Sequence, residues 1–241
     1  MPDASVALVT ATVILVHGAW ADGSSWLKVI SRLQQKGVET VAVQNPLTSL
    51  NDDVAAVNRA VASANGPVVL VGHSWGGAVI TQAGGDPKVN ALVYIAAFAP
   101  DVGMTVNDLG KGAPPTPGLK EVVADPSGFL TITKKGIMAD FAQDLPKTES
   151  AVLAATQGPT AAKAFDDKLT VAAWREKPSW YLVSKQDRMI DPKGERAMAK
   201  AMKAHATEVD ASHVSMLSRP DAITEIIMEA IQSIRKSSMA D

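Results

Sequence analysis

The feature that most restricts what this chain can become is a serine wedged between a wholly apolar run and a helix. Val68-Val69-Leu70-Val71 passes directly into Gly72-His73-Ser74-Trp75-Gly76, and a helical stretch follows from about Gly76 to Ala83. Four branched apolar residues in a row suit a strand buried on both faces, so the backbone must turn from strand to helix around the serine itself. Glycines at 72 and 76 remove side chains that so sharp a turn would crush. The hydroxyl is left at the carboxyl edge of the sheet, beside the positive end of the next helix. This context predicts a nucleophile elbow; the alternative is a plain glycine-rich turn.

The surrounding pattern alternates short strands with helices, as a parallel sheet covered on both faces requires. Thr12 to Val16 predicts a buried strand, and Trp26, Val29, Ile30 and Leu33 then recur at helical spacing until Gly37. The whole apolar segment Ala4 to Val16 is read as strand rather than secretory signal: no basic region precedes it and no small-residue cleavage site separates it from His17-Gly18. It is also shorter than the roughly 20 residues that cross a bilayer. Thr40 to Val43 is the next strand, and Leu50, Val54, Val57 and Val61 share one helical face that ends at Asn65-Gly66. Ala91 to Ala96 makes a further strand.

Regularity breaks after Pro100. Residues 104–177 predict a mostly helical cap without a convincing buried strand, including an amphipathic piece around Ile137 to Leu145. Trp180 to Val183 restores the strand pattern, a helix carries Ala197, Met198, Ala201 and Met202, and Thr207 to Val209 is a short last strand. Ile223, Ile226, Ile227, Ile231 and Ile234 mark a closing helix. The expectation is one α/β core, residues 1–103 and 178–241, with the cap inserted at 104–177; a length of 241 residues fits a single such unit.

A serine hydroxyl is a weak nucleophile at its ordinary pKa, so the elbow calls for a base and a group to orient that base. Of four histidines, His205 falls on the polar side of a helix, and His17 and His73 are built into the loops flanking the serine. His213 remains, in a loop after the last strand at the same sheet edge as Ser74. Asp187, after Trp180 to Val183, gives the chain order serine, acid, histidine; Asp101 is the alternative acid, with Asp191 and Asp210 weaker ones. Attack on a carbonyl also needs two donors for the developing oxyanion. The backbone N–H groups of Trp75 and Ala19 are the candidates, Gly18 allowing the Ala19 loop to come close.

Composition removes several other classes. A net charge of −2 with interspersed signs offers no basic face for nucleic acid and no polybasic segment for a lipid surface. The chain has no cysteine, hence no thiolate chemistry or disulfides, and this leaves the compartment open. No H-E-x-x-H, P-loop or dinucleotide fingerprint is present, so no metal or organic cofactor is expected. A cytoplasmic protein is the default expectation, with an upstream export signal as the alternative, and the choice between monomer and homodimer stays open.

Taken together, Val13-Ile14-Leu15-Val16-His17-Gly18-Ala19-Trp20, Gly23-Ser24-Ser25-Trp26, the Ser74 elbow, Tyr94-Ile95-Ala96-Ala97-Phe98-Ala99-Pro100, Gln186-Asp187-Arg188-Met189-Ile190 and Ser212-His213-Val214-Ser215-Met216 resemble the α/β-hydrolase superfamily. The likeness is to the branch of plant hydroxynitrile lyases and methyl-ester esterases. That resemblance implies the α/β-hydrolase fold and a cofactor-independent carboxylesterase. Hydroxynitrile lyases of this type carry threonine after the first histidine and lysine after the catalytic one; Gly18 and Val214 stand there, which disfavours cyanohydrin cleavage.

The leading expectation is hydrolysis of a small or medium ester, lactone or thioester through an acyl-enzyme on Ser74. Perhydrolysis, carbon–carbon cleavage or a slow ligand-binding module on the same fold are the alternatives. Trp20, Met104, Phe129, Met138, Phe141, Trp174 and Met216 are candidate pocket lining, since such pockets are mostly apolar, and Trp75 is expected to wall the acyl side.

Overall fold

The computed structural model describes residues 11–237. In chain order the core begins β1 (Thr12–Val16), α1 (Leu27–Gln35), β2 (Glu39–Val43), α2 (Leu50–Ser63), β3 (Val68–His73), α3 (Trp75–Ala83) and β4 (Val89–Ile95). Between β4 and the next core strand lie α4 (Val106–Leu109), β5 (Val122–Ala124), β6 (Phe129–Ile132), α5 (Lys134–Gly136), α6 (Lys147–Thr156) and β7 (Thr160–Ala161). The core closes with β8 (Ser179–Ser184), α7 (Pro192–Ala201), β9 (His205–Val209), α8 (Ser215–Ser218) and α9 (Pro220–Ser237). Within the apolar segment Ala4 to Val16, the part before Ala11 lies outside the described residues.

Six strands form one sheet in the order β2-β1-β3-β4-β8-β9, every neighbouring pair parallel. β1, β3 and β8 are buried along their whole lengths, which is why their sequences run apolar without alternation. β9 is exposed or half-buried along its length, as an edge strand can be. The chain winds from β1 outward to β2 and then returns past β1 to β3. Loops leaving the carboxyl ends of β1 and β3 therefore emerge side by side, Val16 paired with Gly72, at the switch point where parallel sheets open a crevice.

The segment expected to be mostly helical also contains a small sheet. β5, β6 and β7 pair antiparallel, with a tight turn at Asp125-Pro126-Ser127-Gly128 where Asp125 Oδ1 accepts the N–H groups of Ser127 and Phe129. These strands are two to four residues long and β5 and β6 are largely half-exposed, so they lack the apolar signature of the core strands. The piece around Ile137 to Leu145 is a π-helical turn, Ile137–Phe141, continued by bends rather than by helix. Among the described residues no helix is long and apolar enough to cross a membrane.

Candidate active site

Ser74 occupies the apex between β3 and α3 with φ +53° and ψ −120°, a conformation that costs a non-glycine residue about 1–3 kcal/mol. Its neighbours hold it there. The Ser74 N–H donates to Ile95 O at 3.3 Å, and its carbonyl accepts the N–H groups of Gly77 at 2.9 Å and Phe98 at 3.1 Å. A Cβ on Gly72 would stand 2.5 Å from Gly76 O, and one on Gly76 would stand 2.4 Å from Val16 O. Only glycine lets the elbow close on itself and lie against the end of β1. The hydroxyl-bearing side chain is 5% exposed.

The loop after β1 lies against this apex: a Cβ on Gly18 would sit 2.7 Å from Ser74 Cβ and 3.0 Å from His73 Nδ1. A threonine at 18 could not be seated without moving one of the two loops. The orientation of the Gly18–Ala19 peptide is set from behind. Asn45 donates its backbone N–H to His17 Nε2 at 2.9 Å, so His17 carries its proton on Nδ1 and donates it to Gly18 O at 2.8 Å. Because C=O and N–H point oppositely across a trans peptide, holding the Gly18 carbonyl on the His17 side turns the Ala19 N–H the other way. Burial lowers the His17 pKa, which keeps the neutral tautomer this bond requires. His17 belongs to a recognisable stretch, but its sequence does not reveal the strut role that Asn45, outside any motif, gives it.

The second oxyanion candidate, the Trp75 N–H, begins α3, where the first backbone donors have no partner in the helix itself. The Trp75 side chain is anchored unexpectedly. Its Nε1–H donates at 2.7 Å to Oδ2 of Asp53, an aspartate on α2 with no exposed surface, whose Oδ1 accepts the Leu47 N–H at 2.8 Å. Burial pushes Asp53 up to about 6 against the pull of those two donors.

The structure brings His213 and Asp187 together: Nδ1 and Oδ2 are 2.5 Å apart, and both residues are buried. Asp187 Oδ1 accepts the N–H groups of Met189 at 2.6 Å and Ile190 at 3.0 Å, which fixes the carboxylate from its other side. The histidine loop is tied to the elbow by His73, whose Nε2–H donates to His213 O at 2.9 Å. His73 directly precedes Ser74, so that bond joins the loop of the base to the strand end that carries the nucleophile. Burial holds the His73 pKa well below its ordinary value, and its Nδ1 has no hydrogen-bond partner. The His213 ring packs between His73, 4.7 Å away between centroids, and Phe141 of the π-helical turn at 5.2 Å.

The other carboxylates are engaged elsewhere. Asp101 pairs with Arg175 at 2.6 Å, Asp191 caps α7, and Asp210 pairs with Lys185 at 3.0 Å. Among the expected lining residues, Trp20 and Trp75 both pack on the ring of Phe165, at 6.2 and 5.1 Å. Trp20 is also held by its Nε1–H donating to Leu130 O. Nothing in the sequence marks Phe165, because a lone phenylalanine in an irregular segment has no periodicity to betray it. Met216 is fully buried in α8 and Met138 is half-buried in the π-helical turn. Trp174 donates its Nε1–H to Pro100 O beneath the Arg175 guanidinium, Met104 bonds through its backbone to Asp101 and Leu169, and Phe129 pairs with Ala161. Among the described residues no group of three or more His, Cys, Asp or Glu converges as a metal ion would require.

Residues 13–226 match the model of the alpha/beta hydrolase family. The chain is 27% identical over 241 residues to the alpha/beta hydrolase nvfD of Aspergillus novofumigatus, covering 90% of this chain and 95% of the relative. Its backbone superposes on polyneuridine aldehyde esterase with a TM-score of 0.78 at 17% identity, over 91% of this chain and 98% of the other. A pyrethroid hydrolase from Sphingobium faniae gives 0.79 at 22% identity, over 92% and 98%. At such identities the two structures speak for the fold.

Proposed function

This chain belongs to the alpha/beta hydrolase family, and from that premise we propose that it is a serine esterase acting through an acyl-enzyme on Ser74. The observation that carries the proposal is the buried His213–Asp187 pair held against the Ser74 elbow by the His73 ring. A solvated loop histidine would need neither a buried carboxylate at 2.5 Å nor a tether to the strand end bearing the serine.

In the proposed reaction His213 takes the Ser74 proton as the hydroxyl attacks the ester carbonyl, and Asp187 stabilises the imidazolium that forms. The N–H groups of Ala19 and Trp75 receive the oxyanion. Collapse of the tetrahedral intermediate expels the alcohol, which takes the proton back from His213, and water then clears the acyl group by the same steps in reverse order. The substrate class is a small or medium ester, lactone or thioester. Trp20, Trp75 and Phe165, already packed together, are the apolar groups best placed to receive an acyl chain. Residues 104–177, which supply Phe141 and Phe165, act as its cap.

Esters of p-nitrophenol with acetyl and butyryl groups, together with a short lactone panel, test this. Turnover that disappears in a folded Ser74→Ala variant is the expected result. Turnover that survives the substitution removes Ser74 from the nucleophile role.

A further inference from the structure

Behind the aspartate of the triad lies a second carboxyl group that the proposed reaction does not use. Glu195 stands on α7, one turn beyond the Asp191 cap, with no exposed surface. Its Oε2 accepts the Ser184 N–H at 3.0 Å, Oε1 is buried without a protein N–H or O–H donor, and Ser184 in turn accepts the Asp187 N–H at 3.1 Å, which sets the two carboxyl-bearing residues side by side.

Two buried carboxyl groups in contact do not both ionise, so one of them carries a proton. The donors around the pair decide which. Asp187 accepts from His213, Met189 and Ile190, three bonds that favour its anion, whereas Glu195 receives the Ser184 N–H alone. The nearby cation offsets a charge on Glu195 only in part. Arg196, next along the helix, is forked onto Glu208 of β9 at 2.8 Å through each of two nitrogens, and Asp191 at the head of the helix adds only negative charge. Tyr181 on β8 directs its hydroxyl to Ala97 O. A proton on Glu195 satisfies both residues at once, because it gives the otherwise bare carboxyl oxygen a partner on Asp187. Burial and the neighbouring Asp187 charge accordingly hold Glu195 well above the usual carboxylate range.

We propose that Glu195 is a positioning residue for the acid of the triad: as a neutral carboxylic acid it donates its hydrogen to Asp187 and holds that carboxylate facing His213. The inference rests on the triad assigned above, and it adds a fourth member that acts through Asp187 without touching substrate. Ionisation of Glu195 at high pH would set two negative charges against each other and loosen the His213 contact.

Wild type, Glu195→Gln and Glu195→Ala are compared by thermal melting from about pH 5 to about pH 9, and by kcat and KM for p-nitrophenyl acetate across the same range. A group whose folded pKa is raised stabilises fully below its unfolded value and loses that contribution as pH rises toward the folded value. Glutamine has no such proton to lose and can still donate to Asp187. The Tm of Glu195→Gln therefore gains on wild type as pH rises, and its kcat stays within about threefold of wild type near neutrality while persisting further into alkali. Glu195→Ala loses about 10- to 100-fold in kcat with KM changed less than about threefold. A Tm difference between Glu195→Gln and wild type that stays flat with pH overturns the proposal, as does a Glu195→Ala enzyme with wild-type kcat. If Glu195→Ala does not fold, the Glu195→Gln melting series decides alone. The melting series needs no turnover, so wild type inert toward all esters counts against the esterase reading and leaves the protonation of Glu195 separately decided.

Discussion

Replacing Asp187 by asparagine probes the triad with almost no change in shape, and the structure dictates which way the new amide must face. Oδ1 accepts two backbone N–H groups, from Met189 at 2.6 Å and Ile190 at 3.0 Å. If the amide nitrogen were placed there, both donors would face a donor, at a cost of about 1–3 kcal/mol each. The amide oxygen therefore stays at Oδ1 and the NH2 group takes the place of Oδ2, 2.5 Å from His213 Nδ1 in the native protein. Facing a donor, the imidazole shifts its proton to Nε2 and presents a bare Nδ1. In that tautomer it cannot accept the Ser74 proton. A wrong tautomer in such a triad costs about 10⁴-fold in kcat, or about 5 kcal/mol of transition-state stabilisation. The assay is steady-state hydrolysis of p-nitrophenyl acetate by wild type and Asp187→Asn, with a melting curve to show that the variant is folded. A folded Asp187→Asn enzyme retaining more than about a tenth of wild-type kcat would refute the assignment of the acid.

Three further perturbations follow from contacts around the elbow. Gly18→Ala places a methyl carbon 2.7 Å from Ser74 Cβ and must push the Ala19 N–H out of position; kcat should fall about 10²- to 10³-fold, and a loss under tenfold would argue that Ala19 is not an oxyanion donor. Trp75→Phe leaves Asp53 Oδ2 buried without its 2.7 Å donor. With Asp53 titrating at about 6, the variant should lose about 1–3 kcal/mol at pH 8, where the carboxylate is charged, and less at pH 5, where it is protonated. Equal Tm losses at the two pH values would contradict that account. Ser74→Gly relieves the φ +53° strain that Ser74→Ala keeps, so the glycine variant should melt about 2–12 °C above the alanine one, and equal melting temperatures would show that the elbow is not strained.

Legibility from sequence tracked how far each element depends on its own residues. β1, β3, β4 and β8 are buried on both faces and read as apolar runs, and Ser74 is announced by glycines that a tight turn cannot do without. β6 and β7 are different: Phe129–Ile132 and Thr160–Ala161 are strands because they pair with each other, and fragments so short carry little pattern. The Asp125-Pro126-Ser127-Gly128 turn was the one local signal for that sheet, and it lay in a segment expected to be helical.

Supporting residues were hidden for a related reason. Asp53 and Glu195 both fall in the first turn or so of a helix, where an acid is ordinarily a solvated partner of the helix dipole. Only the third dimension places Trp75 on one and Asp187 on the other. The same holds for His17 and His73, which the chain presents as loop residues and the fold uses as struts. Asp101 and Asp187 both fit the chain order serine, acid, histidine, and the pairing of Asp101 with Arg175 at 2.6 Å, which sets it apart, required coordinates.

The claim beneath all of this is that one hydroxyl, at position 74, is activated by its surroundings. Incubation of the native protein with diisopropyl fluorophosphate, followed by intact mass measurement and peptide mapping, tests it without any assumption about substrate. A single phosphoryl adduct on the peptide carrying Ser74, absent from a folded Ser74→Ala variant, is the predicted result. A protein that stays unmodified, or whose adduct sits on another residue, contradicts it.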